Sequence, residues 1–124
     1  MAARLLLLGL AVAAVAVAIH ALHADHRCAD LKATASQVPL RQPTAVARAA
    51  ADRCGDPRDR AVVALLLTAR GQRPAALDLA RRMTRSSPDD YLGWLIVWRL
   101  SGARDALARA HALNPRGTPA APPR

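Results

Sequence analysis

Apolar positions divide the 124-residue chain into one unbroken run and a series of shorter patterned stretches. From Leu5 to Leu22 the chain reads LLLLGLAVAAVAVAIHAL, with no polar side chain before His20. Beyond it, two stretches with helical character, Asp25 to Gln37 and Thr44 to Cys54, flank the turn signal Val38-Pro39-Leu40-Arg41-Gln42-Pro43. Gly55 suits the C-terminal cap of the second stretch. Asp56-Pro57-Arg58-Asp59 then supplies an N-cap, a proline at the first helical position and an acid facing the helix N-terminus. Arg60 to Arg70 follows, carrying Val62, Val63, Leu65, Leu66 and Leu67, and Gly71 ends it. Pro74 opens the next helix, with Ala76, Leu77, Ala80 and Met83 near helical spacing. Ser87-Pro88-Asp89-Asp90 repeats the cap chemistry before Leu92, Trp94, Leu95, Val97 and Trp98. Gly102 breaks that helix. Ala103 to Leu113 forms a last one, with Ala103, Leu107 and Ala110 on one face, and Asn114-Pro115 stops it.

The expected fold is therefore all-α: an N-terminal transmembrane helix followed by a short array of antiparallel helical hairpins. Residues 1–24 form the anchor and 25–55 the first hairpin. Residues 56–114 form the repeats, and 115–124 a Pro-rich tail expected to be disordered.

The apolar run is about 18 residues, or roughly 27 Å as helix, against a hydrocarbon core of about 30 Å. Cleavage after Ala16-Val17-Ala18 would meet the small-residue rule but cut the run short, and Leu22-His23-Ala24 meets that rule poorly. An uncleaved anchor touching lipid through residues 5–22 is the expectation. Its orientation is ambiguous by charge, because Arg4 and the amino terminus oppose Arg27, Lys32 and Arg41 behind the span.

The cysteines bear on that ambiguity. Cys28 and Cys54 lie equally far from residue 41, the midpoint of the first hairpin. In an antiparallel pair they meet side by side at its open end, within the ~7 Å between Cα atoms that a disulfide requires. The bridge would stabilise the hairpin by roughly 3.5 kcal/mol in the chain-entropy model. It implies an oxidising compartment, and hence a helical domain outside the cytoplasm. The alternative is a pair of buried free thiols in a cytosolic protein.

The order of turns and small residues from Pro57 onward resembles the tetratricopeptide repeat, a helical hairpin of roughly 34 residues. Gly71 falls at the inter-helix turn, Ala76 and Ala80 at the close helix contact, and Pro88 at the repeat end. Trp94, Ala103, Ala110 and Pro115 continue the pattern, and the cysteine hairpin matches a degenerate first repeat ending at Pro57. Three departures are visible, one of them a turn in the second repeat that is about four residues short. Arg60 stands where the repeat usually begins with an aromatic residue, and Trp98 stands where a small residue is usual. The resemblance implies stacked hairpins with a concave groove for a peptide or protein segment. It offers Arg58, Leu65, Tyr91, Leu92 and Arg99, on first helices of repeats, as groove candidates.

Charge and composition adjust this picture only slightly. The formal charge is +9, carried almost wholly by Arg. The arginines are scattered singly without stacking aromatics, which argues against nucleic acid. They suit either GC-rich coding or a surface for anionic lipid or wall polymer. His20, His23 and His26 recur at threes near Cys28 but read as interfacial residues rather than metal ligands. No phosphate loop, HExxH or GxSxG occurs. Neither catalysis nor a cofactor is expected. Trp94 and Trp98 share a helix face and are expected in the core. The function expected is a membrane-anchored adaptor for an unidentified protein. The alternatives are a basic module for lipid or wall polymer and an assembly factor for a membrane complex.

Overall fold

The computed structural model describes the backbone of residues 2–37 and 41–119. In the first helix the side chains of residues 2–8, 21, 24 and 25 are outside the description. Six helices follow one another: α1 (Ala2–Ala35), α2 (Pro43–Arg53), α3 (Pro57–Ala69), α4 (Arg73–Ser86), α5 (Tyr91–Ser101) and α6 (Arg104–Leu113). No strand occurs among the described residues.

The helix boundaries follow the local chemistry. The Asp56 carboxylate accepts from the Arg58 amide at 2.8 Å, and Asp90 does the same for Leu92 at 2.8 Å. Each thereby satisfies an amide that the first helical turn leaves free. Gly71 (φ 72°) and Gly102 (φ 74°) take the left-handed conformation that lets α3 and α5 stop abruptly. Gly55 does not play this part. Instead Cys54 leaves α2 in extended conformation, and the chain reaches the Asp56 cap directly. The Val38-Pro39-Leu40 turn lies outside the described residues.

The main departure from expectation is α1. It is a single helix of 34 residues, about 51 Å long, in which the apolar run continues without a break into the first helix of the cysteine hairpin. Nothing between Leu22 and Ala35 is a helix breaker, so the change from apolar to polar composition carries no change of backbone. Among the described residues no helix is long and apolar enough to cross a membrane. The run 5–22 lies partly outside them, since side chains 5–8 and 21 are not described.

Neighbouring helices pack antiparallel, as their cross-contacts fix. Cys28 in α1 is bonded to Cys54 at the end of α2, with Cα atoms 5.0 Å apart. Arg60 near the start of α3 donates to Ser86 at the end of α4. Arg73 at the start of α4 donates to Leu100 near the end of α5. Arg109 in α6 pairs with Asp89 just before α5. Each helix from α1 to α4 also packs on the helix two further on, except that α4 does not reach α6. The result is a stack of hairpins whose turns gather at two ends. One, the entry end, holds Cys28, Cys54, Asp56, Ser86 and Asp90. The other, the far end, holds Ser36, Arg70, Arg73 and Leu100.

The core is made of small residues at helical spacing. Cys28, Leu31 and Ala35 face Val46, Ala47 and Ala50 in the first hairpin. Ala61, Val63, Ala64 and Leu67 of α3 meet Ala75, Ala76, Leu79, Ala80 and Met83 of α4. α5 adds Ile96 and Leu100. At Gly93 the α4 and α5 backbones come so close that an added Cβ would lie 3.0 Å from the Met83 Cβ. Gly93 and Ile96 therefore hold the seam, and Trp94 and Trp98 are half-buried rather than in the core. Trp94 Nε1 donates to the Pro88 carbonyl at 2.8 Å. α6 buries Ala106, Leu107 and Ala110, while Arg104, Asp105, Ala108, Arg109 and Ala112 stay exposed, a polar and small outward face that suits the last helix of a stack.

The chain after α6 is partly folded where disorder was expected. Thr118 is buried, donates to the Asn114 carbonyl at 2.8 Å and lies 3.2 Å from His111 Nδ1. Residues 120–124 lie outside the description.

Candidate functional site

α3 carries more apolar residues than one buried face can absorb. It packs against α1, α2, α4 and α5, yet a stripe at i, i+4, i+7 and i+11 remains exposed: Arg58, Val62, Leu65 and Ala69. Val62 is 41% and Leu65 55% exposed. Single exposed aliphatics are ordinary, but two on one stripe beside a hollow are less so.

The hollow opens at the far end between α3, α4 and α5. Its volume is about 260 Å³, and Leu65, Thr68, Arg73, Ile96, Arg99 and Leu100 line it. Ile96 and Leu100 form an apolar floor that is itself part of the core. The Thr68 hydroxyl is turned into its own helix and donates to the Ala64 carbonyl at 2.8 Å. Arg73 forms a fixed wall. Its Nε and Nη2 donate to the Leu100 carbonyl at 2.9 and 2.5 Å, satisfying an acceptor that the last turn of α5 leaves free and meeting the negative end of that helix. Arg99 is exposed and makes no ion pair among the described residues. Such a site can seat an apolar side chain and meet negative charge at its rim.

The groove candidates separate accordingly. Leu65 and Arg99 line the cleft together. Arg58 shares the α3 stripe but stands about 10 Å toward the entry end. Tyr91 begins α5 at that same end, and Leu92 is packed against the core rather than presented to a groove. Cys28 and Cys54 are 3% and 0% exposed and serve the hairpin alone. Sequence reasoning missed Thr68, Arg73, Ile96 and Leu100. Arg73 did leave a signal, because a cation at the first position of a helix opposes the macrodipole and so suggests a partner on another element.

A second hollow of about 310 Å³ between α2 and α4 is open and of mixed charge, lined by Ala51, Asp52, Arg82, Arg85 and Ser86. The hydrogen bond from Arg82 to Asp78, at 2.9 Å, holds that guanidinium still more firmly protonated than usual. Among the described residues no three His, Cys, Asp or Glu side chains converge as a metal site would need.

The acids are sorted between the two ends, whereas arginines occur at both, with Arg53, Arg58, Arg60 and Arg85 at the entry end. At the entry end, Asp56 and Asp90 cap helices, Asp59 pairs with Lys32, and Asp89 pairs with Arg109. At the far end Arg41, Arg70, Arg73, Arg99 and Arg104 gather, with Asp105 as the one acid among the described residues there. No family model, curated protein or solved structure matches the chain.

Proposed function

We propose that the chain is a membrane-anchored adaptor, in which a short tetratricopeptide-like array holds a segment of another protein at its far end. The carrying observation is the cleft in which exposed Leu65 adjoins an apolar floor and Arg99, which makes no ion pair among the described residues. Apolar floors with a few convergent polar groups are the usual form of a binding site.

The anchor is the run 5–22, and the unbroken α1 gives it mechanical meaning. Five residues of helix separate Leu22 from Cys28, a rise of about 9 Å, so the entry end lies next to the bilayer and the cleft points away from it. The buried disulfide favours an oxidising compartment for the array.

The test is chemical crosslinking in membranes followed by isolation of the full chain, with Leu65→Glu/Val62→Glu as comparison. A defined protein should accompany the wild type and be lost with the double variant. Recovery of nothing reproducible, or of the same set from both, ends the adaptor reading. An anionic surface module would instead show membrane or polymer association that falls steeply with added salt and ignores both substitutions.

A further inference from the structure

Building on the adaptor reading, we infer that the far-end cleft selects an acidic protein segment carrying one bulky apolar side chain. Three observations combine. The first is size: about 260 Å³ between Leu65, Ile96 and Leu100 accommodates one large aliphatic or aromatic side chain rather than a folded surface. The second is sign. Arg73 and Arg99 line the opening, Arg70 and Arg104 stand at the same end of the array, and the one acid at that end among the described residues, Asp105, sits in the first turn of α6 where it faces the positive end of its own helix. The third is availability. Arg99 makes no ion pair among the described residues and no acid lines the cleft beside it, whereas Arg53, Arg58 and Arg85 at the entry end, likewise without one, stand among Asp52, Asp56, Asp59 and Asp89. Arg73 is committed to the Leu100 carbonyl through Nε and Nη2, which fixes the guanidinium and leaves its remaining N–H groups for a ligand oxygen.

The occupant follows from these constraints. Its apolar side chain enters between Leu65 and the Ile96–Leu100 floor, and flanking carboxylates meet Arg99 and the free N–H groups of Arg73. Arginine suits this role because its planar fork matches a carboxylate bidentately. A basic or neutral segment would bring like charge, or none, to a cleft whose lining has no acid.

A photocrosslinking amino acid at Leu65 in the full chain, expressed in membranes, tests the inference and the reading beneath it separately. Mapping of the crosslinked peptide by mass spectrometry should return a segment with Asp or Glu within a few residues of Leu, Ile, Phe, Trp or Met. A crosslinked protein segment that is neutral or basic overturns the inference and leaves the adaptor standing. Crosslinks only to lipid or polymer, or none, overturn both. In parallel, labelled ten-residue peptides are titrated by anisotropy against the full chain in detergent. A peptide with four acids around one Leu should bind at least ten-fold more tightly than its Leu→Ala or all-Lys counterparts. Arg99→Glu should remove most of that preference. Equal binding of all three peptides, or indifference to Arg99→Glu, overturns the inference.

Discussion

The two ends of the helical array are built from different chemistry. At the entry end a disulfide joins α1 to α2, aspartates cap α3 and α5, and Lys32–Asp59 and Arg109–Asp89 pair across helices. At the far end there is no covalent bond, and arginines do the joining: Arg70 reaches the Ser36 carbonyl and Arg73 the Leu100 carbonyl. An arginine bonded to a neutral carbonyl keeps its full charge, whereas one paired with a carboxylate is neutralised. Both ends are tied, but the far end holds arginines with almost no acid among the described residues, whereas the entry end mixes the two signs. The α4–α5 pair repeats the contrast, being closed at Gly93 near the entry end and open as a cleft where Arg73 faces Leu100.

The sharpest test of this contrast is removal of the disulfide. Cys28→Ala/Cys54→Ala should lower the unfolding free energy by about 3.5 kcal/mol. In a helical domain of this size that corresponds to a fall in Tm of at least 10 °C, read by circular dichroism in detergent. Because both sulfurs are buried, reductant should act on the wild type only as it unfolds. A small change in Tm would mean that the entry end is held chiefly by its caps and ion pairs.

Arg73→Met should cost less, about 1.5 kcal/mol, since two hydrogen bonds from a charged group to a half-exposed carbonyl are lost. Methionine keeps much of the apolar stem, so the loss reports the bonds rather than the packing. An unchanged denaturant midpoint would remove the claim that arginine-to-carbonyl contacts tie the far end.

How much of this was legible in sequence depends on whether one residue or several elements carry the signal. Asp56, Asp90, Gly71 and Gly102 act on their own backbone, so the starts and stops of α3 to α5 could be placed within a few residues. The cysteine pairing was legible because hairpin symmetry about residue 41 needs only the turn. The continuity of α1 was missed because a change of polarity was taken for a change of structure, although no breaker intervenes. Gly55 was misplaced for the opposite reason: a glycine beside a helix end suggests a left-handed cap even when the next cap, Asp56, already directs the chain. The cleft was only half visible. Leu65 and Arg99 could be proposed, but Arg73, Ile96 and Leu100 enter it through the crossing of three helices, which no single stretch encodes. Leu92 packs against the core, next to the close approach at Gly93.

Gly93→Ala examines this approach directly. Alanine improves helix propensity by roughly 1 kcal/mol. Its Cβ, however, would stand 3.0 Å from the Met83 Cβ and 3.2 Å from the Thr84 backbone nitrogen, neither of which can swing aside. Overpacking of this kind costs about 1–3 kcal/mol, so a net loss of about 1 kcal/mol is expected on chemical denaturation. A gain in stability would show that α4 and α5 can separate at the entry end as they do at the far end.

The smallest expected effect falls where function is assigned. Val62→Gln/Leu65→Gln replaces two side chains that are already 41% and 55% exposed, so stability should move by less than about 0.5 kcal/mol. Glutamine keeps good helix propensity, which leaves α3 intact while removing Leu65 from the cleft wall and Val62 from the exposed stripe beside it. Binding of the acidic, leucine-bearing peptide should nevertheless fall at least ten-fold. The pairing of these two outcomes is the point. A substitution that leaves the fold unmoved and empties the cleft identifies apolar surface that the array itself does not need. A large drop in stability would instead assign Val62 and Leu65 to packing, and the far end would then differ from the entry end in charge alone.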